Sequence, residues 1–253
     1  MIGRLLKNTE WSRATDYLSP VFFQVVPTLA MGKKIAKLVS SYSDQDLFEA
    51  LCTERSRHVK FLGIVIKKSS RIEPKGVLSA DDEFKVLTLY FWQLLATDTP
   101  CLDLRRASFH VNESDQLLWD PKPLFATFDL EFAQSIRDMY LGFYKTDVTL
   151  FDLALSRLNL LHAKGLFLDH FGSSQTSMVF DLVKFRKTFH DLFVSCKENR
   201  KRLHPDFLAF GAGLFSLYEH LERNKRPFNV KAAFEQALAL TEGVTWLESQ
   251  SLQ

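Results

Sequence analysis

From residue 129 onward, apolar side chains recur every three or four positions, the spacing of amphipathic helices. In FDLEFAQSIRDMYLGFYK, Leu130, Ala133, Ile136, Met139, Tyr140 and Phe143 share one face. TLFDLALSRLNLLHAKG continues the pattern, with Gly165 expected as its C-terminal cap. SMVFDLVKFRKTFHDLFVSCKENRKR reads as one long helix whose basic end, 197–202, suits the helix dipole and a solvated surface. PDFLAFGAGLFSLYEHLERNK opens on Pro205, which fits a first helical turn. VKAAFEQALALTEGVTWLE closes the chain. These segments predict a helical bundle over 124–253.

The first half is more broken. Residues 1–57 read as helix in pieces, interrupted by Pro20 and Pro27, with Ser43 and Asp44 placed to cap a helix over 45–57. HVKFLGIVIKK, 58–68, is a near-continuous apolar run that suits a strand or the buried face of a helix. Ser79 then caps a helix over 80–96, with Asp81, Asp82 and Glu83 in its first turn. Phe84, Leu87, Phe91, Leu94 and Leu95 form its apolar face, widened by Trp92.

After Pro100 the period changes to two. Phe109 and Val111 alternate with polar neighbours, NESD (112–115) has turn chemistry, and LLW (117–119) is a second short run stopped by Pro121 and Pro123. The expected hairpin pairs 108–111 with 117–120 and turns Phe109 and Val111 inward. The fold class is therefore mainly α, a helical domain with a small β-hairpin. A mostly helical segment over 1–79 precedes the main domain over 80–253.

Composition narrows the function classes. The 253 residues carry a net charge of +2, from 32 basic and 30 acidic side chains, which gives no pull toward nucleic acid or anionic lipid. Aromatics do not interleave with a basic patch. The 23 phenylalanines point to an aromatic-rich core. Cys52, Cys101 and Cys196 make neither a disulfide framework nor a CxxC pair, which fits a reducing, cytoplasmic setting. The start of the chain lacks the pattern of a signal peptide, and no run reaches the ~20 apolar residues of a membrane span. Contact with a membrane surface has no positive support. Metal-ligand pairs such as HExxH are missing, and His162 and His170 are separated by Gly165.

The candidate chemistry lies in CLDLRRASFHVNESDQLLWDPKP, 101–123. Asp103 precedes the first strand and Asp120 ends the second. A helix, an Asp-bearing loop, a strand–turn–strand and a second Asp is the order of a kinase-like C-terminal lobe. Residues 80–145 resemble the catalytic and metal-binding loops of that superfamily, and LLWDPKP followed by FDLEFAQSIRD resembles its small-molecule phosphotransferases. IRDMYLGFYKTD and PDFLAFGAGLFSLYEHLERNKRPFNV are similar to the C-terminal helices of the AarF/UbiB atypical kinase family. IVIKKSSRIEPKGVLSADDEF resembles that family's KxGQ segment, with Lys67 in place and Ser69–Ser70 where Gly-Gln would sit. Together these segments cover about two thirds of the chain.

The resemblance implies a catalytic role for Asp103 if the protein is active, metal ligation by Asp120 and Ser108, and a nucleotide-phosphate contact by Lys67. Lys67 has two further readings: the strand lysine of a kinase, with Glu83 as its helix partner, or a plain surface lysine beside Lys68. Mg and ATP are the cofactors implied, weakly held.

The departures are specific. Ser108 stands in the place of a metal-ligating Asn, Cys101 and Leu102 replace the usual His, and Arg105 and Arg106 replace His and Pro. No glycine-rich loop cradles phosphates. About one hundred residues precede Asp103, short for a nucleotide-covering lobe. The expectation is a degenerate kinase-like protein acting through a protein partner or ligand. An unrelated helical interaction module and an active small-molecule or lipid phosphotransferase stay open as alternatives.

Overall fold

The computed structural model describes residues 20–67, 77–172 and 177–250, with side chains to 242. Among the described residues, three helices come first: α1 (Phe22–Val25), α2 (Thr28–Tyr42) and α3 (Gln45–Val59). Asp44 caps α3 by accepting the Leu47 amide. The ambiguous run resolves by length. A 3-10 turn over Lys60–Leu62 and Gly63 (φ 71°) leads into a three-residue strand, β1 (Ile64–Ile66). The left-handed φ at Gly63 suits a residue without Cβ.

Helix α4 (Ala80–Ala96) starts at a capping box: Asp82 N–H bonds to Ser79 Oγ while the Asp82 carboxylate accepts the Ser79 amide. Its apolar face is wider than an amphipathic stripe, since Val86 to Leu94 are buried all round. Helices on several sides explain this. Phe91 alone meets Tyr140, Tyr144 and Phe234 edge-on, at ring-centroid distances of 5.4 to 5.8 Å.

The hairpin forms as expected. β2 (Phe109–Val111) pairs antiparallel with β3 (Leu117–Trp119), with Phe109 opposite Trp119 and Val111 opposite Leu117. Phe109 and Val111 are buried, and Asp120 N–H bonds to Ser108 O, carrying the pairing one step further. Asn112 Oδ1 closes the turn by accepting the Ser114 and Gln116 amides. The sheet has a third member: β1 lies parallel to β3 on its other edge. All three β3 residues are buried, as befits a central strand.

Six helices follow among the described residues: α5 (Leu130–Tyr144), α6 (Val148–Arg157), α7 (Lys164–Phe171), α8 (Leu182–Glu198), α9 (Phe207–Glu222) and α10 (Val230–Gln250). Two boundaries differ from expectation. Gly165 sits inside α7 and caps nothing; α6 ends at Arg157, Asn159 takes the left-handed turn (φ 60°), and Gly172 (φ 88°) caps α7. The long helix expected from 177 begins only at Leu182, because Asp181 caps it and 178–179 form β4 (Met178–Val179), paired with β5 (Pro227–Phe228). Gly142 lets α5 and α6 cross closely: a Cβ there would lie 2.5 Å from the Phe151 nitrogen.

Candidate functional site

The loop between α4 and β2 is built from both sides. Gln93, buried in α4, accepts the Cys101 amide through Oε1 at 2.8 Å. The return segment after β3 runs antiparallel to the loop. Leu102 N–H bonds to Leu124 O, Ala126 N–H to Pro100 O, and Cys101 and Phe125 form a bridge.

Helix α9 supplies the second wall. Ser216 Oγ donates to Leu102 O at 2.5 Å and accepts the Leu104 amide at 3.1 Å. One turn on, His220 Nδ1 lies 3.0 Å from Leu104 O, and Glu219 accepts the Arg106 amide at 3.1 Å. These three residues stand at i, i+3 and i+4, so one stripe of α9 fixes the loop from Leu102 to Arg106. Burial pushes the His220 imidazole down to about 3, so it is neutral and donates from Nδ1.

Asp103 is closed inside this frame and is 0% exposed. Arg105 Nε donates to its Oδ1 at 2.7 Å, while Ser108 Oγ and the Lys122 amide donate to its Oδ2 at 2.6 and 3.0 Å. Arg105 is itself buried. The backbone carbonyl of Asp103 takes the Trp119 indole N–H at 3.2 Å, and Trp119 stacks on Phe109 at 5.8 Å. Such a carboxylate anchors a loop. It has no open face to take a proton from a substrate. Ser108 turns its hydroxyl inward to Asp103 and is also buried.

Asp120 is different. It is partly exposed, and its carboxylate makes no hydrogen bond or ion pair among the described residues. Lys67 follows β1 as Asp120 follows β3; the Lys67 amide donates to Trp119 O at 2.9 Å, so the two residues flank each other at the ends of parallel strands. Glu83 does not join them. It is buried, and its carboxylate is taken by Arg226 (Nε 2.7 Å) and by the Asn224 side-chain amide. Burial raises the Glu83 carboxyl above its ordinary range, and the Arg226 charge and bonds only partly offset this. Ser69 and Ser70 lie outside the described residues.

An apolar niche of about 10 Å³ lies behind the loop, between Gln93, Cys101, Leu104 and Phe210. It is the size of one water and far too small for a nucleotide. Sequence reasoning missed Ser216, Glu219 and His220. Their signal was present as a polar stripe within the otherwise apolar FGAGLFSLYEHLE. No protein-family model matches the chain, and no curated protein matches it.

Proposed function

We propose that the chain is a degenerate kinase-like protein that works by binding a partner and transfers no phosphoryl group. The observation that carries this reading is Asp103: the carboxylate in the catalytic position is buried and bonded to Arg105, Ser108 and the Lys122 amide. Phosphoryl transfer depends on positioning and charge neutralisation at an open site, and this carboxylate serves the loop instead. The chain order of capped helix, Asp loop, strand, turn, strand and Asp120 supports the kinase-like part of the reading.

Apolar side chains on the N-terminal helices, including Phe23, Leu29, Val39 and Tyr42, are exposed and support a protein partner. Cys52, Cys101 and Cys196 are buried free thiols, which suits a cytoplasmic protein. No helix among the described residues is long and apolar enough to cross a membrane.

A second reading, an ATP-dependent phosphotransferase, is favoured by one feature, the partly exposed Asp120 carboxylate, which makes no hydrogen bond or ion pair among the described residues. Calorimetry with Mg²⁺-ATP on the wild type and Asp120→Asn separates the two. The proposal expects at most weak binding. Tight binding that disappears in Asp120→Asn would favour the enzyme.

A further inference from the structure

Helix α2 is more thinly packed than α4. Of its fifteen residues Met31 alone is buried, against eleven of the seventeen in α4. Helices in proteins draw most of their stability from packing an apolar face, yet this one leaves Leu29 78% and Val39 42% exposed. Lys34 ties down its inner side, 2.7 Å from Asp129 Oδ1 and 2.8 Å from Asp206 Oδ1. Its outer side, with Leu29, Lys33, Ala36, Lys37 and Val39, faces solvent.

Charge in this part of the chain is sorted by helix. No acidic residue lies between Asp16 and Asp44, and Lys33, Lys34 and Lys37 all fall in α2. From Asp44 the sign reverses: Asp44, Asp46, Glu49 and Glu54 precede the first basic residue, Arg55, which is buried. Exposed Arg57 closes the acidic stretch. Lys33, Lys37, Asp46 and Glu54 are exposed, and none of the four makes an ion pair among the described residues. Leu47, among the acidic side chains of α3, is also exposed. Helix α2 therefore shows a basic apolar face and α3 an acidic apolar face, so the chain carries its own complement.

We propose that α2 packs against α3 of a second copy of this chain, with the reciprocal contact made across a two-fold axis. Lys33 and Lys37 then oppose Asp46 and Glu54 of the second copy, while Leu29 and Val39 share cover with its Leu47. A two-fold pairing uses each face once per copy and closes at the dimer. An unrelated partner would need acidic and apolar side chains in a matching arrangement, which the next helix of this chain already supplies. The apolar residues provide the drive, and the exposed charges set partner and register more than affinity. This pairing rests on the partner-binding part of the proposed function and gives that partner an identity.

Analytical sedimentation of the full chain up to about 100 μM is the test. The wild type should dimerise, and high salt should weaken the dimer at least threefold by screening the charges. Lys33→Glu with Lys37→Glu, and separately Asp46→Lys with Glu54→Lys, should each weaken it at least tenfold, because like charges then meet at both contacts. Mixed in equal amounts, the two variants should form a heterodimer of near wild-type affinity, since both contacts again pair opposite signs. All four positions are exposed, so circular dichroism should be unchanged; if a variant unfolds, the salt dependence of the wild type decides. A monomeric wild type, association beyond the dimer, affinity indifferent to salt, or folded variants that do not rescue each other would overturn the pairing. None of these results bears on the Mg²⁺-ATP comparison, so the kinase-like reading stands or fails separately.

Discussion

Arg105 Nε lies 2.7 Å from Asp103 Oδ1, with both side chains buried and only one residue between them in the chain. The pair closes the loop on itself, and Ser108 and the Lys122 amide complete it. Asp103→Asn should therefore destabilise the fold by about 3–5 kcal/mol, because it breaks a buried ion pair by removing one of its two charges. It also turns an amide group toward donors that need an acceptor. Urea unfolding followed by circular dichroism measures it. A loss under about 1 kcal/mol would mean the loop does not depend on this carboxylate.

Glu83 pairs with Arg226 across the start of α4 and the turn before β5. Arg226→Met should cost about 1–3 kcal/mol, discounted because the arginine is partly exposed. Lys67→Met should change stability by no more than about 0.5 kcal/mol. The reverse ranking in thermal unfolding would return Glu83 to the lysine that kinase-like order assigns it.

Gly142→Ala should destabilise by about 1–3 kcal/mol through overpacking. The added methyl meets the backbone of Phe151 at 2.5 and 2.7 Å, and helix backbone does not yield as a side-chain tip would. Gly165→Ala, with open space around its Cβ position, should be neutral or slightly stabilising. Equal midpoints for the two variants would contradict this packing.

Acid should weaken the fold through two buried histidines. Burial lowers His220 to about 3 and His170 to about 4. The unfolded chain takes up these protons near pH 6.5 while the folded chain does not, so stability is full above pH 6.5 and falls as the pH drops toward 4. Each histidine contributes on the order of 2 kcal/mol of loss by pH 5. Unfolding midpoints at pH 7.5, 6 and 5 report the slope, which His170→Phe should flatten. An unchanged slope in that variant would show that His170 is not held neutral.

Local rules made much of the fold legible. Ser79 with Asp82 announces α4, and the alternation of Phe109 and Val111 around NESD announces the hairpin, because each signal acts within a few residues. The pairing of β1 with β3 joins segments about fifty residues apart, and IVI has no local feature that names its partner. Gly165 misled because a glycine at a plausible helix end looks the same whether it caps or continues, while the left-handed turn fell to Asn159. The aspartates of the candidate site were visible as residues, but their fates were not. Burial of Asp103 depends on Arg105 folding back and on Ser216, Glu219 and His220 arriving from more than one hundred residues away.

The central claim is that Asp103 serves structure and that the chain transfers no phosphoryl group. ADP release from Mg²⁺-ATP by the full chain, with and without candidate acceptors, tests it most directly. The account predicts release no faster than a protein-free control, in wild type and Asp120→Asn alike. Release well above that control in wild type, abolished in Asp120→Asn while the variant stays folded, would contradict it.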